Sequence, residues 1–189
     1  MPWMVAGGAV VALLVVLAIT RLGPAGGGRP AAGPPPVGGG PAIDISAMTP
    51  RERADRLFNR VVSSAERGQL DTARFFTPMA LAAYAMLGPL DEDARYHVGL
   101  IHLVNDEFDA TLAQADSIAE VVLGHLLAAI LRAQVAEKRG DDAALARARR
   151  AFLDSWQSES TANRPEYQQH QGLIDRFRNE IIARDSPGS

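Results

Sequence analysis

The chain has 189 residues, enough for one domain of ordinary size plus accessories. All 22 acidic residues lie at Asp44 or later, whereas Arg21 and Arg29 are the only basic residues before it, so the C-terminal part is acidic overall. That balance excludes the basic face needed to wrap nucleic-acid phosphates, and the absence of cysteine excludes disulfides, thiolate metal sites and cysteine nucleophiles.

Residues 1–20, MPWMVAGGAVVALLVVLAIT, carry no charged side chain. A stretch of about 20 apolar residues matches the hydrocarbon thickness of a bilayer. Trp3 and Arg21 stand at its two ends, where an interfacial ring and a snorkelling cation belong. Residues 1–22 are therefore expected to form a single transmembrane anchor. A cleaved signal peptide is the rival, although the usual basic leader is missing. Arg21 and Arg29 lean toward a cytoplasmic C-terminal domain, and the orientation stays open.

A Gly/Pro tract follows. Residues 23–42 hold eight glycines and six prolines, a composition that cannot bury enough apolar surface to fold. The segment 23–48 is expected to be a disordered tether, spanning ~25 Å as a flexible coil.

From Thr49 the pattern becomes helical. Thr49-Pro50-Arg51-Glu52 reads as a capping box with proline at the first helical position. Ala54, Leu57, Phe58, Val61, Val62 and Ala65 recur at helical spacing, and Gly68 supplies the stop. A second helix is expected from about Asp71 to Leu87, kinked at Pro78 or restarted there with Thr77 as cap. Asp91 caps a third, with Ala94, Val98, Ile101 and Leu103 inward and a break at Asn105-Asp106. The fourth carries Phe108, Leu112, Ala115 and Ile118. The fifth runs from about His125 to Arg139, with Leu126, Leu127, Ile130 and Leu131 inward, and stops at Gly140. Asp141 caps the sixth, which aligns Leu145, Ala148, Phe152 and Trp156. Beyond the polar stretch SESTANRP, a seventh helix presents Tyr167, Ile174, Phe177 and Ile181 on one face. No segment alternates with the period of a strand, so the expected fold class is all-α.

Gly99 and Ala133, Phe108 and Asp142, Ile118 and Phe152, and the breaks at Asp106 and Gly140 are each separated by 34 residues. With the small residue at Gly99 and Ala133, the turn at Asp106 and Gly140 and the closing Phe152, residues 50–156 resemble tetratricopeptide repeats. The resemblance departs at Arg95 and Ala129, His102 and Ala136, and Thr111 and Leu145, where the family prefers Trp, Tyr and Ala. It implies a solenoid of about three antiparallel helix pairs over 49–158, a C-terminal capping helix over 159–184 and a disordered tail over 185–189. It also implies a concave groove lined by Phe58, Val62, Tyr96, Leu100, Leu103, Ile130, Gln134 and Lys138, which would take a protein or peptide partner.

No catalytic constellation is present. There is no phosphate-binding glycine loop before a helix and no nucleophile elbow. Of the four histidines, His97 and His102 lie five residues apart, ~140° around a helix, and no metal site or cofactor is expected. Asp91, Glu92 and Asp93 cluster at a helix start, where capping and the helix dipole account for acids. The expected function is that of a membrane-tethered protein-interaction scaffold, not an enzyme. It is similar in layout to single-span tetratricopeptide proteins that assemble complexes in bacterial envelopes, and the expected location is the bacterial cytoplasmic membrane. A self-associating structural membrane protein is the alternative.

Overall fold

The computed structural model describes residues 48–185. The anchor expected over 1–22, all but the last residue of the tether, and the last four residues lie outside the described residues. Eight α-helices occur among them and no strand: α1 (Pro50–Glu66), α2 (Leu70–Ala85), α3 (Glu92–Val104), α4 (Phe108–Val121), α5 (Leu126–Arg139), α6 (Asp142–Glu159), α7 (Pro165–Gln169) and α8 (Gln171–Asp185). None of these is long and apolar enough to cross a membrane.

The starts and stops follow from local chemistry. Thr49 accepts from the Glu52 amide through its hydroxyl while the Glu52 carboxylate accepts from the Thr49 amide at 2.7 Å, which closes the capping box. Asp91 and Asp141 cap α3 and α6 by accepting from Ala94 and Ala144 amides. Gly140 ends α5 at φ 66°, a left-handed value that costs glycine nothing. Asp106 adopts φ 59° at the equivalent turn between α3 and α4.

Two elements differ from the expectation. Helix α2 is continuous across Pro78, and Thr77 caps no new helix. Its hydroxyl donates to the Ala73 carbonyl at 3.0 Å and accepts from the Asn105 side chain at 2.9 Å. The C-terminal helix is divided at His170 into α7 and α8, and α6 extends to Glu159, inside the stretch expected to be irregular.

The helices pack as successive antiparallel pairs, α1 with α2, α3 with α4 and α5 with α6, and each pair lies against the next. This is an all-α arrangement compatible with a helical repeat. Its apolar interior forms two clusters. The first joins α1, α2 and α3 through Phe58, Val61, Ala80, Tyr84 and Ile101. The second gathers Tyr96, Ile118, Leu126, Leu127, Ile130, Leu131 and Phe152 under Ile174, Phe177 and Ile181 of α8. Leu100 touches both clusters.

Candidate functional site

Asp93 and His97 sit one helical turn apart, so α3 presents both on one face. Both are buried. His170, at the break between α7 and α8, donates from Nε2 to Asp93 Oδ1 at 2.8 Å. Helix α1 brings Arg51 against the other Asp93 oxygen, and also against Asp55 at 3.0 Å and Asp91 at 3.1 Å. The end of α2 adds Tyr84, whose hydroxyl donates to Asp55 Oδ1 at 2.6 Å and lies 2.8 Å from His97 Nδ1.

These contacts fix the state of the His97 ring. A tyrosine hydroxyl has one hydrogen, and here it serves Asp55, so His97 Nδ1 must be the N–H that donates to the tyrosine oxygen and toward Asp55 at 3.3 Å. The ring plane is held by Phe58, stacked at 4.0 Å between centroids and 14° between planes. The remaining ring atom, Nε2, faces Asp93 Oδ1 across 3.7 Å, too far for a hydrogen bond.

The charges in this cluster are coupled. Burial works against ionisation of Asp55, but hydrogen bonds from His97 and Tyr84 and the Arg51 guanidinium bring its pKa down to about 2. Burial likewise opposes the charge on Asp93, and the His170 hydrogen bond with the positive field of His97, His170 and Arg51 holds its carboxyl below the usual range. Tyr84, buried beside Asp55, is pushed well above the ordinary phenol value.

A second polar network closes the other end of the C-terminal segment. His125 caps α5 with its own imidazole: Nδ1 accepts from the Leu127 amide at 3.3 Å and Nε2 donates to Glu166 Oε1 at 3.0 Å. Tyr167 accepts from the Leu126 amide at 2.9 Å and donates to Glu159 at 2.7 Å, and Arg164 donates to the same carboxylate at 2.8 Å. Together the two networks fasten α7 to α3, α5 and the end of α6.

The residues expected to line a groove are not equally accessible. Phe58, Tyr96, Leu103 and Ile130 are buried. Phe58 stacks on His97, and Tyr96 meets the His170 ring edge-on at 4.9 Å. Val62, Leu100 and Gln134 are half-buried, and Lys138 is exposed, donating to the Leu103 carbonyl and to Asp106. Along this line the accessible surface is therefore carried by Val62, Leu100, Gln134 and Lys138.

A more continuous apolar surface lies on the outer face of α2. Phe75 is 67% exposed, Met79 38% and Met86 84%, at spacings of four and seven residues, with exposed Pro78 and Ala82 between them. In the sequence this stripe has the same helical spacing as a core face, so nothing local marks it as exposed. The five-residue spacing does not bring His97 and His102 together: His102 pairs with Glu107, and the imidazole edge-on to His97, at 5.4 Å between centroids, is that of His170, distant in sequence. The signal that was available is Asp93-x-x-x-His97 on one helical face.

Compared with protein-family models, with curated proteins and with solved structures, the chain matches none.

Proposed function

We propose that this protein is a membrane-tethered interaction module: residues 1–22 anchor it, residues 23–48 tether it, and a tetratricopeptide-like domain docks a protein partner through the outer face of α2. The repeat assignment rests on the 34-residue spacing together with stacked helix pairs whose turns fall at Asp106 and Gly140. The docking assignment rests on one observation, the exposed Phe75, Met79 and Met86 stripe. Soluble domains rarely leave such a row of large apolar side chains uncovered, and methionine adapts readily to a partner's contours. The reading is of a binding protein in the bacterial cytoplasmic membrane, with the accessible part of the groove, from Val62 to Lys138, as a second contact line.

Site-directed photo-crosslinking of the full chain in native membranes tests it. A photo-reactive amino acid at position 75 or 86 is expected to capture one distinct protein, and the same group at exposed Arg150 is expected to capture none. Equal labelling from all three positions, or none from α2, overturns the reading. Capture of a second copy of the chain replaces it with self-association, which the uncharged character of the stripe also suits.

A further inference from the structure

Asp93 Oδ1, His97 Nε2 and His170 Nε2 converge, all within 4.8 Å of one another. We propose that these three atoms form a binding site for one zinc-class divalent ion, which clasps the break between α7 and α8 onto α3. The proposal is independent of the docking role above.

Four features of the cluster carry it. First, the ligand types are right: two imidazoles and one carboxylate suit zinc and its neighbours, with a fourth position left for water or another ligand. Second, the spacing is right. Ligand atoms about 2.0–2.1 Å from a tetrahedral ion stand roughly 3.4 Å apart. The 3.7 Å between His97 Nε2 and Asp93 Oδ1 is too long for a hydrogen bond and close to that separation, while at the 2.8 Å contact of His170 the ion takes the place of the Nε2 proton, which moves to Nδ1 or to solvent as the contact lengthens.

Third, the supporting contacts are those that orient a metal-binding histidine. His97 donates its Nδ1 proton toward Asp55 and Tyr84, which turns the Nε2 lone pair into the gap, and Phe58 fixes the ring plane. Arg51 engages the other Asp93 oxygen, Oδ2, which leaves Oδ1 facing the two imidazoles. Fourth, three carboxylates, Asp55, Asp91 and Asp93, surround the single guanidinium of Arg51. Three carboxylates against one guanidinium leave an excess of negative charge, which a divalent cation offsets in a partly buried setting where it would otherwise be costly.

The test uses the full-length chain in detergent, free of any histidine tag and stripped with chelator, titrated with cobalt(II) and then zinc(II) chloride. The expected result is one equivalent of cobalt giving the visible bands of a low-coordinate nitrogen–oxygen site, displaced by one equivalent of zinc, with a zinc-dependent rise in melting temperature. His170→Gln is expected to weaken zinc binding more than tenfold, and Asp55→Asn by about 10–100-fold through the ring it orients. His102→Gln, outside the cluster, is expected to bind as the parent does. Histidine side-chain NMR of the unsubstituted protein gives a readout that survives misfolding of any variant: zinc should move the Nε2 resonances of His97 and His170 and leave His102 and His125 in place. Absence of saturable binding, equal binding by His170→Gln and the parent, or zinc shifts at His102 or His125 instead overturns the site.

Discussion

His125 shows how one side chain can serve as both cap and clamp. Its Nδ1 accepts from the Leu127 amide, so the proton sits on Nε2 and points at Glu166. Burial disfavours the charged ring and lowers its pKa, against the raising pull of Glu166 and Glu159, with Arg164 adding to the lowering; Tyr167 packs on the ring at 4.8 Å. A depressed histidine pKa means that the unfolded chain takes up the proton first. Stability should therefore fall as pH drops through the unfolded value of about 6.5, by at most about 1.4 kcal/mol per pH unit from this group. His125→Asn keeps a capping side chain and removes the titration. Denaturant midpoints compared between pH 7 and pH 5 should decline less steeply in that variant than in the parent. Tyr84 makes a simpler case at the same scale. Tyr84→Phe removes the hydroxyl between Asp55 and His97 in a buried position, and chemical denaturation should report a loss of about 2 kcal/mol.

Between elements, close approach decides which residues are allowed. Gly99 lies where α3 meets α5, and a Cβ there would come within 2.8 Å of a methyl of the wholly buried Leu131, which would have to shift within the core. The Gly99 carbonyl also accepts from the Thr111 hydroxyl of α4 at 3.2 Å, tying the pair together. Gly99→Val should cost about 1–3 kcal/mol in thermal or denaturant unfolding. Gly172, with open space around it in α8, should accept alanine without loss. Helix α2 illustrates a different balance: Pro78 removes one backbone donor on the exposed side, and the helix runs on because its other face packs through Ala73, Thr77, Ala80 and Tyr84. Sequence alone places a kink or a fresh start there because local propensity is all it can weigh.

Across the described domain, stability depends on what the C-terminal segment covers. Ile174, Phe177 and Ile181 seal a core that also holds Tyr96, Leu126 and Phe152, and Phe177 meets Phe152 edge-on at 5.0 Å. Phe177→Ala should destabilise the protein by about 3 kcal/mol or more, read as a lowered denaturant midpoint with the helical signal otherwise intact. The same segment delivers His170 to α3 and Glu166 to His125, so the His170–Asp93 and His125–Glu166 contacts form only when it is docked.

The helical class, the caps at Thr49, Asp91 and Asp141, the stops at Gly68 and Gly140 and most inward positions were legible in the sequence, because each depends on residues within about one turn of itself. What only the tertiary structure decided is which side chains lie at the surface and which charged groups meet. Phe75 and Met86 carry the same helical spacing as core residues, and only packing leaves them outside. Asp93 and His170 stand 77 positions apart, and no local rule brings a carboxylate and an imidazole together over that distance. Burial and charge convergence are set by how helices stack, a non-local property of the chain.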